Sequence, residues 1–229
     1  YDSIIHDVAL QKLNVIMCLD RAGLVGSDGA THHGAFDIAY MRCIPNLTIA
    51  SPRNEHELRN LMYTVQKKNY GPFVIRYPRG KGFLIDWRNE MQEVEIGKGE
   101  CLKKGERLAV ITVGVMANPA LEAIKFIEED SVERIGLYDM KFVKPLDENL
   151  LKEVAESYTH IITIEDGVLK GGFGTAVLEF LSENGYQHKV LRLGIPDRFI
   201  EHGTPEELYA EIGLDKAGIT RSITDFLGK

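Results

Sequence analysis

The chain is 229 residues long with 44% hydrophobic and 27% charged content, the balance of a globular protein with room for one large or two modest cores. Its 27 Lys and Arg against 34 Asp and Glu give a formal net charge of −7, which argues against general affinity for nucleic acid or anionic membrane and requires any anionic ligand to find a local cationic pocket. No apolar run approaches the roughly 20 residues of a membrane span, no signal-peptide pattern opens the chain, and the three cysteines, Cys18, Cys43 and Cys101, lie too far apart to form a framework or metal-ligand pair, so reduced thiols in the cytoplasm are the expectation.

Ile4, Ile5, Val8 and Ala9 recur at helical spacing and predict an amphipathic helix over 2–11. The apolar run Val15 to Leu19 predicts a buried strand over 14–19 that feeds a glycine-rich loop, D-R-A-G-L-V-G-S-D-G-A-T-H-H-G-A-F-D from Asp20 to Asp37. Phe36, Ala39 and Tyr40 fit a short helix, and Leu47 to Ala50 a second strand. Asn54 followed by Glu57 predicts a capping box opening a helix with Leu58, Leu61, Met62 and Val65 on its buried face. A third strand, Phe73 to Arg76, ends in the breaker Tyr77-Pro78-Arg79-Gly80. From Lys81 to Gly105 the periodicity fades while glycines and charges accumulate, marking a domain boundary, although Val94 and Ile96 alternate with glutamates and leave room for strands.

The second half restarts an alternation of strands and helices. Leu108 to Val113 is a continuous apolar strand of the kind found in a parallel sheet covered on both faces. Asn118 and Pro119 predict a cap and first turn; Ile135 to Tyr138 and His160 to Ile164 are further strands, with Pro145 and Asp147 opening the helix between them. Gly171-Gly172-Phe173-Gly174 precedes a helix lined by Ala176, Val177, Phe180 and Leu181; Val190 to Leu193 is the last clear strand. Thr204, Pro205 and Glu207 cap a short helix, and Ile219, Ile223 and Phe226 line a final one. The expected class is α/β with doubly wound sheets joined by right-handed crossovers, divided as 1–80, a linker over 81–105, and 106–229.

Arg21 and Arg79 each lie just past the end of a strand, and in a parallel sheet those ends share one edge. Two guanidiniums could there converge on one phosphate through charge-assisted hydrogen bonds, although by residue type alone two unrelated surface arginines fit as well. Asp28 and His32 offer acid/base and hydrogen-bonding groups for hydroxyl and carbonyl oxygens. The adjacent His32 and His33 lack a suitably spaced third ligand for a metal. Arg76 reads either as a site residue or as a strand-end ion pair. The 171–174 run lacks the G-x-G-x-x-G spacing of a dinucleotide loop, which favours a tight turn, and His202 reads as a loop or cap residue.

The run from Asp20 to Asp37 resembles the central motif of the 1-deoxy-D-xylulose-5-phosphate synthases, thiamine-diphosphate enzymes of the transketolase superfamily. The likeness continues through Arg42-Cys43-Ile44-Pro45-Asn46 and Arg76-Tyr77-Pro78-Arg79-Gly80 to Gly213-Leu214-Asp215, so it covers essentially the whole chain. It implies a transferase that condenses pyruvate with glyceraldehyde 3-phosphate with loss of CO2, supplying isoprenoid, thiamine and pyridoxal precursors, with thiamine diphosphate and magnesium as cofactors and a homodimeric assembly. It further implies that Arg21 and Arg79 hold the acceptor phosphate and that Asp28 and His32, the first histidine of T-H-x-G, contact the reacting groups. His33 falls on the variable position.

In that family an N-terminal domain holds the diphosphate and its metal, and a glutamate activates the aminopyrimidine. Neither region is found in these residues. Residues 1–80 are therefore expected to be the later part of the pyrimidine-binding domain and 106–229 the C-terminal domain, which in the family serves mainly the subunit interface. The chain by itself is expected to bind neither cofactor and to be inactive. The competing expectations are another transketolase-like enzyme, such as transketolase or a 2-oxoacid dehydrogenase β-type chain, and a non-catalytic dimerisation module.

Overall fold

The computed structural model describes residues 1–84 and 88–228. Its first sheet takes the three strands of the N-terminal third: β1 (Ile16–Leu19), β2 (Thr48–Ala50) and β3 (Phe73–Arg76) run parallel in the order β1-β3-β2. Between them lie α1 (Asp37–Met41) and α2 (Glu55–Thr64). The register matters for function. Leu19 is the partner of Arg76, so both chains leave the sheet at one height, and Tyr77 N donates to Leu19 O at 2.9 Å while Ala22 N donates to Tyr77 O at 3.0 Å.

The second sheet is built from β4 (Glu100–Lys103), β5 (Leu108–Thr112), β6 (Ile135–Asp139), β8 (His160–Val168) and β9 (Lys189–Ile195) in the order β4-β6-β5-β8-β9, with only the edge strand β4 antiparallel. Helices α3 (Ala117–Glu129) and α7 (Lys216–Leu227) cover one face; α4 (Glu148–Ser157) and α5 (Phe173–Glu183) cover the other. This double cover explains why β5 is buried at every position and apolar from Leu108 to Ile111. Leu108 and Val110 pack with Ile124 and Ile223 on one side, and Ala109 and Ile111 join Val154 and Val177 on the other. The latter core also contains Ile49 and Val74, so the two sheets share one apolar interior. The doubly wound α/β architecture is therefore present as the alternation predicts.

The seam between the sheets holds the features that periodicity did not predict. β7 (Phe142–Lys144) leaves the second half and pairs antiparallel with β2, completing a four-stranded first sheet, and Lys144 Nζ donates to Arg42 O at 2.9 Å and Ile44 O at 2.5 Å at the end of α1. Within the stretch read as a linker, β4 forms, and Gln92 N and Val94 N donate to Asn60 Oδ1 (3.0 Å) and Thr64 Oγ1 (2.8 Å) along α2. Residues 85–87 of that stretch lie outside the described residues.

Three local expectations differ. Ile4–Ala9 winds as a wider π-type turn rather than an α-helix. Asn118 lies inside the first turn of α3, whose chain enters from a 3-10 turn at Gly114–Met116, and its amide donates to Arg53 O at 3.0 Å instead of capping. At α2, Asn54 caps by accepting from Glu57 N at 3.0 Å, but the Glu57 carboxylate turns to Arg53 N at 2.9 Å and Arg53 Nε at 3.0 Å, so the box is half made. Before the helix Pro205–Glu211, α6, the Thr204 and Glu207 box is complete, with Thr204 N donating to Glu207 Oε2 at 2.9 Å.

Candidate functional site

The loop from Asp20 to Phe36 leaves the carboxyl end of β1, the edge at which open α/β sheets bind ligands. It folds back on itself. Gly23 N donates to Gly34 O at 3.0 Å, and Gly34 lies so close to the Arg21 carbonyl that any Cβ there would collide with backbone. The tip is a 3-10 turn, Gly26–Asp28, entered at Gly26 with φ of +74°, where a side chain would be strained.

Arg79 leaves the end of β3 beside this loop, and its Nη1 donates to Asp28 Oδ2 in a tight ion pair. Arg21 Nη1 lies 3.6 Å from the same oxygen. Arg21, Arg79 and Asp28 are thus brought together from three points in the sequence, at a solvent-facing position where their side chains are 42%, 51% and 25% exposed. The hydrogen bond from Arg79 is the main cause that holds the Asp28 carboxyl below the usual aspartate range; partial burial opposes it, and the charges of Arg79, Arg21 and His32 reinforce it. His32 contributes to that field but makes its own side-chain bond to Thr31 Oγ1, at 2.9 Å from Nδ1. Two guanidiniums and one carboxylate leave a cationic spot on an acidic chain.

His33 is not a bystander in the structure. Its Nδ1 accepts from Val25 N at 3.0 Å, which places the ring proton on Nε2, and Nε2 faces Glu201 O at 3.3 Å. The imidazole therefore ties the loop to the second half of the chain. Arg76, for which the sequence leaves two readings, is a buried ion pair: Nε donates to Asp37 Oδ2 at 2.8 Å and Nη1 to Asp166 Oδ1 at 2.5 Å. Burial works against its charge, and Asp166 and Asp37 outweigh it, so this guanidinium is more firmly protonated than a free one. Sequence reasoning passed over Asp37 and Asp166; the one available signal was the pair Glu165-Asp166 closing an apolar strand, where carboxylates need a reason to be buried.

The glycine turn at 171–174 is filled from within. Glu165, 1% exposed, accepts from Phe173 N at 2.7 Å and from Gly174 N at 2.8 Å at the amino end of α5. A carboxylate of the protein thus occupies the position an external phosphate would take. Burial pushes this carboxyl up to about 7, while the two N–H groups and Arg76 pull it down. Among the described residues no group of three or more His, Cys, Asp or Glu is placed to hold a metal ion. His202 is an exposed loop residue whose Cβ lies under Gly29.

Comparison with known proteins agrees with this architecture. The family model described as transketolase, pyrimidine binding domain, matches residues 1–83, and that described as transketolase, C-terminal domain, matches residues 97–219. A 1-deoxy-D-xylulose-5-phosphate synthase of Bacteroides fragilis is 58% identical over 224 residues, which are 98% of this chain and 35% of that protein. One from Phocaeicola vulgatus is 56% identical over 226 residues (99% and 36%), and one from Vibrio parahaemolyticus 45% identical over 229 residues (100% and 36%). The chain thus spans little more than a third of the length of these curated relatives. Among solved structures, one titled "Split gene transketolase, inactive beta4 tetramer" superposes with a TM-score of 0.82 at 28% identity, covering 99% of this chain and 71% of that one.

Proposed function

On the premise that the chain belongs to the transketolase family, whose pyrimidine-binding and C-terminal domain models it matches, we propose that it carries the acceptor-phosphate site of a 1-deoxy-D-xylulose-5-phosphate synthase. The observation that carries this reading is the convergence of Arg21 and Arg79 on a single Asp28 oxygen. A phosphate dianion offers the same two guanidiniums more charge and more acceptor oxygens than one carboxylate does, so the phosphate of glyceraldehyde 3-phosphate displaces Asp28 from Arg79. The displaced carboxylate then turns toward the acceptor, where Asp28 accepts from a hydroxyl and a His32 ring N–H donates to the carbonyl oxygen, so that the imidazole can hold or move a proton there.

The reaction so served joins a two-carbon unit from pyruvate to glyceraldehyde 3-phosphate with loss of CO2. In the full-length enzymes of this kind thiamine diphosphate supplies the electron sink for that unit. Magnesium, a homodimer and a cytoplasmic location complete the proposal for the full-length enzyme. For the chain by itself we propose no turnover, because the amino end of α5 is already taken by Glu165 and the described residues offer no metal cluster.

The test is binding and turnover measured separately. The chain should bind glyceraldehyde 3-phosphate, Arg79→Ala should weaken that binding by about tenfold or more, and pyruvate, aldehyde, thiamine diphosphate and magnesium added together should yield no product. Product above background would overturn the inactivity, and unchanged binding in Arg79→Ala would overturn the site.

A second reading concerns assembly. The solved neighbour is titled an inactive tetramer, and Phe36, Tyr40 and Phe199 stand 45%, 42% and 74% exposed around one open groove of this chain. Self-association into an inactive oligomer is the expected result in solution; a monomer by light scattering would contradict it.

A further inference from the structure

The loop bearing Arg21, Asp28 and His32 is part of the first domain, yet its inner side rests on residues 201–209 of the second. Four contacts follow one another along it. Leu24 N donates to the Tyr209 hydroxyl of α6 at 3.3 Å. At Gly23 the bare Cα admits both that hydroxyl and Asp166, since a Cβ there would lie 2.5 Å from Tyr209 Oη and 2.9 Å from Asp166 Oδ2. Gly26, at the entry to the turn that ends in Asp28, packs against the start of α6, where a Cβ would lie 3.0 Å from Pro205 Cδ and 3.1 Å from Gly203 O. His33 Nε2 closes the set on Glu201 O at 3.3 Å.

Tyr209 is the hub of this support. Burial and the neighbouring Asp166 carboxylate raise its phenol well above the ordinary range, so the hydroxyl stays protonated while it accepts from Leu24. Asp166 is itself held by Arg76 at 2.5 Å, and Arg76 ends the strand that leads directly to Arg79. Both arms of the cationic cluster are thereby referred to the same buried point: the Asp28 arm through Leu24 and Gly26, the Arg79 arm through Arg76.

We propose that Tyr209, with the amino-terminal turn of α6, is the positioning element that sets Asp28 against Arg21 and Arg79. The C-terminal domain then has a duty at the acceptor site in addition to any interface it forms. The inference deepens the acceptor-site reading, but its test reads no ligand, so failure of phosphate to bind leaves the test intact.

The experiment compares the chain with its Tyr209→Phe and Pro205→Ala variants by amide hydrogen exchange and by carbon-detected titration of the Asp28 carboxyl. Tyr209→Phe removes one oxygen at constant shape. It should speed exchange of the Leu24 amide by about tenfold or more while the amides of β5 and β8 keep their wild-type rates, and should move the Asp28 midpoint up toward that of a free aspartate as Arg79 and Arg21 lose their fixed distance from it. Pro205→Ala leaves no buried polar group unpaired and should move both readouts in the same direction by less; if Tyr209→Phe does not fold, it decides the matter. Wild-type values of both readouts in a folded variant would overturn the proposal. So would faster Leu24 exchange with an unmoved Asp28 midpoint, because the loop would then be anchored without the cluster being positioned.

Discussion

Arg76, at the end of β3, donates to Asp166 on β8 at 2.5 Å, and the two side chains, each 1% exposed, form a buried polar bond between the two sheets. Asp37 takes the other edge of the guanidinium at 2.8 Å. Taking one partner away leaves buried charge uncompensated, which costs about 3–5 kcal/mol. Arg76→Met should therefore lower the unfolding free energy by about that amount, and Arg76→Lys should recover only part of it because an ammonium cannot reproduce the planar fork. Denaturant melts of the three chains check this; equal stability of wild type and Arg76→Met would contradict it.

A second buried carboxylate should act through pH. Asp139 at the end of β6 is fully buried, with Oδ1 accepting from Lys141 N at 3.2 Å. Burial first and the Glu57 charge second push it up to about 8, against the Lys141 N–H and the charges of Arg53 and Lys141. The folded chain keeps this proton up to about 8, whereas the unfolded chain loses it near the ordinary aspartate value of about 3.9. The folded state therefore binds more protons between those limits, and this residue's contribution to stability declines as pH rises through them. Asp139→Asn should flatten that decline and make the protein more stable than wild type at pH 8, by on the order of 1 kcal/mol. Melts from pH 5 to pH 9 measure it, and an unchanged pH slope would refute it.

The ion pair at the loop tip yields different predictions for two neighbouring changes. Asp28→Asn removes the internal competitor for Arg79 and Arg21, so the variant should bind inorganic phosphate more tightly, by on the order of tenfold. His32→Ala should leave phosphate affinity nearly unchanged, since that ring bonds to Thr31 and only adds to the field at Asp28. Calorimetric titration with phosphate separates the two, and weaker binding by Asp28→Asn would go against the displacement proposed here.

Much of this was legible in the sequence, and the reasons are physical. β5 and β8 announce themselves because both faces of each are covered, which demands mainly apolar runs such as Leu108 to Ile111 and Ile161 to Ile164. Thr204 and Asp147 announce their helices because orphan N–H groups there need a short polar side chain. The meeting of Arg21 and Arg79 follows from strand ends sharing an edge. β7 was not legible: three residues carry no period, and the sheet they join is a tertiary choice. The same holds for Asp166 and Tyr209, whose value lies in partners more than 40 residues away.

Loop closure at Gly34 should be intolerant of any side chain. A Cβ there meets the Arg21 carbonyl, which belongs to backbone and cannot swing aside. Gly34→Ala should cost about 1–3 kcal/mol and displace Arg21 from Asp28. Thermal melts combined with the Asp28 titration test this, and an unperturbed Asp28 midpoint in the variant would count against the closed loop.

The most direct measurement is a titration of the chain with glyceraldehyde 3-phosphate, followed through the guanidinium 15N resonances of Arg21 and Arg79. The account predicts that both resonances move together with one Kd, that the Asp28 carboxyl is released over the same range, and that Arg21→Ala and Arg79→Ala each abolish the joint response. Saturable binding that shifts neither guanidinium, or that survives both alanine variants, would contradict it.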